Sequence, residues 1–353
     1  MSLHIFQIQK LETRYLFQMF SKLQEIKMNK KFYFVFLIIG FFFCSCSHRQ
    51  MLILKAEKNS INLFKNEVEK KLADAVIKED VKRIQKIIGK NQSIVRDSYS
   101  NEYYSVLHLA SYYGKVKSVE ALLELGFNPD VKNIQGETPL FEASGVGLLF
   151  YAYDESRDNL EQVIKLLIKH GADVNCQIEK SNNGTADLSG MTPLMECLKT
   201  LYQPRQSNKT KILCDEGNAD INIKAENGET AASIALEECY RDLIDWYLFD
   251  LDYLKDKSLT SAYYLIVQKH ADISGSYYSR LHFSDEPFEV SPVYMLRLLV
   301  YPLGSEMHKI KMEIVKEFKR QGIDYFSEPI PEQSLKLVKK LYPDNWEEYL
   351  RQY

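Results

Sequence analysis

Few residues in this chain have the chemistry of ligands, bases or nucleophiles, and their spacing decides how they are read. Cys44-Ser45-Cys46-Ser47-His48 has the residue types of a metal cluster. It closes an apolar run, however, and that position points to processing of the chain rather than to a metal. Cys176, Cys197, Cys214 and Cys239 are scattered, and no Cys-x-x-Cys pair occurs. Four cysteines admit three disulfide connectivities. At small apolar helix positions the same residues serve as buried thiols; Cys197–Cys214 is the bridge to test. His108 is expected to be a hydrogen-bonding structural histidine. His170 precedes Gly171, where it would face the last carbonyls of a helix. His282 and His308 have no partner at ligand spacing. The pairs Glu237/Glu238 and Glu347/Glu348 are adjacent on helical stretches. Neighbours on a helix diverge by about 100°, so these are solvated faces, not acid/base dyads. No metalloprotease helix, calcium loop, phosphate-cradling glycine loop or nucleophile elbow is present. No catalytic residue, cofactor or metal is predicted, and no small-molecule substrate.

The elements that would position such groups begin with an address. Phe32–Phe43 is an unbroken apolar run, preceded by Asn29-Lys30-Lys31 and followed by Cys44-Ser45-Cys46. At about 1.5 Å per residue it is too short to cross a bilayer core of about 30 Å comfortably. Basic flank, short apolar core and small residues have the layout of a secretory signal. The cysteines make the run resemble a bacterial lipoprotein signal, with Cys46 as the lipidated residue. Ser45 is small at the scissile position, whereas cutting before Cys44 would place Phe43 there. Phe43 and Cys44 depart from the residues usual in that motif. A retained hydrophobic anchor is the alternative. Met28 followed by Asn-Lys-Lys is a typical start, so residues 1–27 are read as a mis-annotated extension and 28–45 as the signal. The resemblance implies a lipid-anchored protein of the bacterial cell envelope. Ser47, where aspartate would favour inner-membrane retention, points to the periplasmic face of the outer membrane.

Composition agrees with a folded chain. Of 353 residues 45% are hydrophobic and 26% charged, with a formal net charge of −3. That excludes a mostly disordered chain and offers no basic footprint for nucleic acid. Removing residues 1–45 leaves 39 basic and 46 acidic residues, a net charge of −7.

The middle of the chain repeats. Ser105-Val106-Leu107-His108-Leu109-Ala110 recurs as Thr138-Pro139-Leu140-Phe141-Glu142-Ala143. Thr192-Pro193-Leu194-Met195-Glu196-Cys197 and Thr230-Ala231-Ala232-Ser233-Ile234-Ala235 follow. A second marker trails the copies: Gly126-Phe127-Asn128, Gly171-Ala172-Asp173-Val174-Asn175 and Gly217-Asn218-Ala219-Asp220-Ile221-Asn222. Threonine suits an N-cap and proline the first helical position. Glycine suits the left-handed residue that ends a helix. These copies resemble the ankyrin repeat family over roughly residues 72–250. The resemblance implies an all-α solenoid of antiparallel helix pairs with finger loops. About five repeats are expected over 72–252, with Leu72–Ala75 and Val81–Ile88 as an N-terminal cap and 46–71 as a tether that carries a helix over Leu63–Lys71. Departures from the spacing place insertions at 145–158 and 177–190, and a smaller one near 203–208. Residues 253–353 read as a degenerate repeat from Ser291 to Asp324 and a helical cap over 331–353. Ser274–Glu289 reads as a loop with Tyr277, Tyr278, Phe283 and Phe288.

Ankyrin repeats hold protein partners in a concave groove and on their finger tips. The resemblance therefore implies a protein-binding scaffold, with a protein partner that the residues do not identify. The candidate contacts are Tyr103, Tyr104, Tyr112, Asn133, Gln135 and Glu137, with Asn182 and Asn183 in the 177–190 loop. Leu148–Tyr153 adds aromatic residues in an insertion, which either contact a partner or pack back on the solenoid. An immunity protein that neutralises a toxin at the envelope is an alternative reading. An enzyme with a site in 253–353 is another, without a nameable nucleophile–base pair. A purely structural envelope lipoprotein is a third.

Overall fold

The computed structural model describes residues 57–64, 66–93, 104–133, 135–145, 154–179, 189–199, 208–247, 259–279 and 286–353. The signal segment, Cys46, Tyr103, Asn182, Asn183 and most of the two larger insertions lie outside the described residues.

Pairs of helices follow one another along the chain. They are α1 (Glu67–Ile77) with α2 (Val81–Lys90), α3 (Val106–Tyr112) with α4 (Val116–Glu124), and α5 (Pro139–Ser144) with α6 (Asp154–Lys169). Next come α7 (Pro193–Leu198) with α8 (Lys209–Lys211, continued as wider π turns over Ile212–Glu216). The fifth pair is α9 (Ala231–Tyr247) with α10 (Thr260–Tyr263, continued as π turns over Tyr264–Gln268). The sixth is α11 (Pro292–Leu298) with α12 (Glu306–Arg320), and α13 (Glu332–Leu341) with α14 (Trp346–Gln352) closes the stack. First helices pack on first helices from α1 through α13, and second helices from α2 through α8 form the outer layer. This is the all-α ankyrin-type solenoid that the resemblance implies.

The local causes are the ones that the motif carries. Ser105, Thr138, Thr192, Thr230 and Ser291 each accept a backbone N–H three residues on, at 2.9–3.3 Å. Each cap satisfies a donor that the first turn of a helix leaves orphaned. Pro139, Pro193 and Pro292 follow their caps at the first helical position. Leu107, Leu140, Leu194, Leu236 and Leu296 are fully buried between layers, as are Val119, Leu122, Val163, Leu167 and Leu213. No repeat could bury this face alone; the stack does so jointly.

Three expectations about boundaries are corrected. Residues 57–71 do more than tether the stack, and the helix expected from Leu63 begins at Glu67 and runs on to Ile77. A helical turn over 57–61 and buried Phe64 pack onto the stack. Glu57 pairs with Lys115 at 2.8 Å, and Ser60 hydrogen-bonds Tyr113 at 2.9 Å. Second, the array does not end at 252. That residue falls between the two helices of the fifth pair, whose second helix begins at Thr260. The stretch from Thr230 to Ser291 is therefore one expanded repeat. Third, Ser274–Glu289 is not a plain loop. Strands β1 (Tyr277–Ser279) and β2 (Phe288–Val290) form an antiparallel hairpin with Tyr277 opposite Val290. In the 145–158 insertion, the stretch from Asp154 onward belongs to α6.

The fourth repeat also shifts its ending. Gly126 and Gly171 hold φ of 89° and 87° at their helix ends, but in the fourth repeat the left-handed residue is Asn218 at 55°. Gly217 still closes the π turns onto the Ile212 carbonyl. The wider turns delay the end by one residue, and asparagine tolerates the left-handed region better than most residues. His270, with φ of 58°, plays the same part after the second run of π turns.

Candidate functional site

The fingers are built from short side chains that bond their own backbone and the next finger. Asp130 Oδ1 accepts the Asp173 N–H at 2.8 Å, Asn175 Oδ1 the Asp220 N–H at 2.8 Å, and Asn222 Oδ1 the Asp272 N–H at 2.9 Å. Between these rungs, Asp173, Asp220 and Asp272 each accept the N–H two residues on. The result is one continuous ladder from the second repeat to the fifth. It includes His270-Ala271-Asp272-Ile273-Ser274, a further copy of the marker. Its histidine and serine hide it from a search for glycine and asparagine.

Backbone contacts also join the fingers. Glu226 N–H donates to Ser189 O at 3.1 Å, and Tyr278 N–H to Asn227 O at 2.8 Å. The approach is close enough that a Cβ on Gly190 would lie 2.9 Å from the Glu226 nitrogen, and Gly190 has φ of 78°. Only glycine meets both demands.

Of the candidate contacts, Gln135 is exposed on its finger. Asn133 is buried and is corrected to a turn-holding residue. Its Oδ1 accepts from the N–H groups of Gln135 and Glu137, both at 2.9 Å, and its Nδ2 donates to the Glu137 carboxylate. Tyr112 is 7% exposed and stacks edge-on against Tyr113 at 5.0 Å, so it is corrected to a core residue. Tyr104 leans over the His108 ring at 5.2 Å. His108 is fully buried and its Nε2 bonds the Glu137 carbonyl at 2.9 Å. Its Nδ1 lies 3.2 Å from the Ser105 N–H, which can only donate. The ring is thus neutral with its proton on Nε2, and burial lowers its pKa to about 4.

The polar groups that sequence reasoning passed over line the first helices. Glu142 and Glu196 occupy the same place in successive motif copies. Burial pushes both carboxyl groups up, with the Glu137 charge adding to the effect, and Glu196 reaches about 7. Lys209 is buried beside them and donates to the carbonyls of Ala143, Ser144 and Gly145 at 2.8–3.2 Å, capping the end of α5. Burial lowers its pKa to about 8. Lys199 pairs with Glu229 at 2.9 Å. Glu237, expected on a solvated face, is instead buried and accepts from Ser279 at 2.7 Å. The thiol of Cys197 is pushed to about 11 by burial and is therefore protonated at neutral pH. None of Cys176, Cys197, Cys214 and Cys239 is in a disulfide. This set supplies hydrogen bonding and acid–base polarity rather than a nucleophile. Among the described residues, no group of His, Cys, Asp and Glu converges as a metal site.

The last repeat holds two more buried cations. Arg297 donates to Phe326 O, Glu328 O and Tyr353 O, at 2.9–3.4 Å, and lies 4.5 Å over the Tyr325 ring. Lys311 donates to Leu299 O at 2.8 Å with its ammonium 3.7 Å over the Tyr353 ring. In contrast, large apolar side chains reach solvent on the fifth and sixth fingers: Tyr278 is 56%, Phe288 37% and Phe326 54% exposed. Leu63 is the other large hydrophobic exposed among the described residues. Only Tyr278 and Phe288 fall in a loop that the sequence marks as aromatic.

The family model for ankyrin repeats matches residues 72–178, in three copies. No curated protein matches the chain. Helix pairs, capped Thr-Pro starts and the finger ladder agree with that match on independent grounds, and residues 72–178 of this chain are ankyrin repeats.

Proposed function

We propose that this chain is an exported, lipid-anchored scaffold that binds a protein partner through its fingers. Ankyrin repeats generally mediate protein–protein interaction. The observation that points to the fingers here is the exposure of Tyr278, Phe288 and Phe326 on two successive tips. Aromatic side chains bury large area at low entropic cost and dominate interface energetics. Tyr278 and Phe288 stand on a paired hairpin, and Phe326 follows the capped turn at Asp324, so their exposure is not a consequence of loose packing. Export and anchoring rest on the apolar run Phe32–Phe43 and on Cys46.

The test is copurification from detergent-extracted membranes, using the wild type beside Tyr278→Ser/Phe326→Ser. A stoichiometric protein recovered with the wild type and lost with the variant, at unchanged melting temperature, supports the reading. Failure to recover any stoichiometric protein, or equal recovery with both chains, overturns it. Intact mass of the same extract, beside Cys46→Ala, tests the anchor. A lipid-bearing mass beginning at Cys46 is expected, and an unmodified mass retaining residues 1–45 refutes it.

A further inference from the structure

Helix α2 differs from the rest of the outer layer in its charge. It reads Val-Lys-Arg-Ile-Gln-Lys-Ile-Ile-Gly-Lys and contains no acidic residue. Ile84 and Ile88 are buried, which turns the opposite side outward. Lys82, Lys86 and Lys90 lie on that side and are all exposed. At a spacing of four they form one stripe along the helix. Gln85 and Gly89, also exposed, run beside them, and a side chain built on Gly89 would meet nothing within 4 Å. Of the other cations of this repeat, Lys70 pairs with Glu67, and Lys78 and Arg83 share Asp74, while Lys71 is exposed on α1. Lys82, Lys86 and Lys90 have no ion-pair partner among the described residues. The next outer helix, α4, alternates Lys117 with Glu120 and Glu124.

We propose that α2 docks on the anionic headgroups of the membrane that holds the N-terminal segment. The proposal rests on the reading that this segment is seated in a membrane. Two observations choose that occupant. One is charge complementarity: three unpaired ammonium groups in a line, with no aromatic anchor or hydrogen-bonding loop among them, suit a diffuse anionic surface. The other is chain length. Only a short stretch of chain separates Phe43 from Glu57. Fully extended, it spans about 50 Å at most. The first repeat is thereby confined near any bilayer that the apolar run or a lipid on Cys46 enters. A single acyl chain holds a protein only marginally, and a basic patch is one of the second signals that make attachment stable. The remainder of the chain, acidic in sum, would be turned away from the same surface.

The experiment uses the full chain reconstituted with vesicles of phosphatidylcholine alone, or of phosphatidylcholine mixed with a minor share of phosphatidylglycerol. Lysines are acetylated with an amine-reactive reagent, and each site is read by peptide mass spectrometry. Labelling of Lys82, Lys86 and Lys90 is expected to slow several-fold on anionic vesicles only, and to recover in high salt. Lys316 and Lys336, exposed on later elements, should label equally on both. Each lysine near an anionic surface is worth about fivefold in partitioning. The triple variant K82Q/K86Q/K90Q should therefore lose roughly a hundredfold of the preference for anionic vesicles. Equal labelling of the stripe on both vesicle types overturns the proposal, even if intact mass shows a lipid on Cys46. Stripe protection that appears only when an acidic protein is added also overturns it. Protection on anionic vesicles with Cys46 unmodified supports the stripe while the anchor reading fails.

Discussion

His108→Leu separates a structural histidine from a binding one. In the folded chain the ring ties the start of α3 to the second finger by taking the Ser105 N–H and giving its own proton to Glu137 O. Leucine fills similar volume and makes neither bond. Two buried hydrogen bonds at about 1 kcal/mol each give a loss of about 2 kcal/mol at pH 7.5. The histidine also has its own pH cost. Its pKa falls from 6.5 to about 4 on folding. Because the folded value is depressed, its contribution is intact above 6.5 and is lost as pH falls toward 4. Between pH 7.5 and 4.5 the wild type should lose about 2.5 kcal/mol through this group. Leucine loses none of that. The variant is therefore expected to be less stable at pH 7.5 and level with the wild type at pH 4.5. Other titrating groups are common to both chains and cancel. Amide hydrogen exchange of α3 and α4 is the right assay, because repeat arrays open locally and a single melt averages over them. A stability gap that is the same at both pH values would refute the assigned tautomer and the burial argument together.

Four further outcomes test the packing. Leu123→Ala or Leu167→Ala is expected to cost about 2–5 kcal/mol in urea titration, since both side chains are buried between repeats. Gly171→Val should cost about 1–2 kcal/mol, seen as a lower melting temperature. The space beside Gly171 is open and its φ is 87°, so the penalty is backbone strain rather than a clash. Lys209→Met should destabilise by about 2–4 kcal/mol because three carbonyls lose their shared buried donor. Glu196 titrates near 7 when folded, raised from 4.5, so its stability contribution is lost as pH rises through that window. Glu196→Gln is accordingly expected to raise the denaturation midpoint at pH 8 and to leave it unchanged at pH 4.

Much of the fold is legible in the sequence because the motif states its own physics. Thr192 caps, Pro193 starts the helix and Gly171 ends one, and each is visible as a residue type at a fixed spacing. What escapes does so where another residue does the same work. His270 stands in the left-handed place of a glycine, which hides the marker of the fifth repeat and makes the regular array read as stopping at 252. Gly217 reads as a left-handed helix end, but π turns, which leave no mark in composition, move that end to Asn218. Lys209 and Lys311 look like any solvated charge. Nothing in the sequence shows that the last carbonyls of α5 and α11 would otherwise be buried without donors. Tyr112 and Asn133 stand where repeats present contacts, and only packing shows that Tyr113 and the finger turn have claimed them.

The ladder gives these separate features a mechanical relation. A solenoid transmits position from neighbour to neighbour, so the spacing between the lysines of α2 and the aromatic tips of the fifth and sixth fingers depends on every rung between. Most rungs combine a side-chain bond with a packed helix pair. The step from the fourth repeat to the fifth has, in addition, Tyr264 donating to Asp215 at 2.8 Å and Lys269 pairing with the same carboxylate at 2.5 Å. Both of these bonds join the two stretches of π turns. The extra bonds at this step tie the fourth and fifth repeats together in the outer layer. They lie on the second helices rather than on the fingers, where they steady the aromatic tips without occupying the surface those tips present.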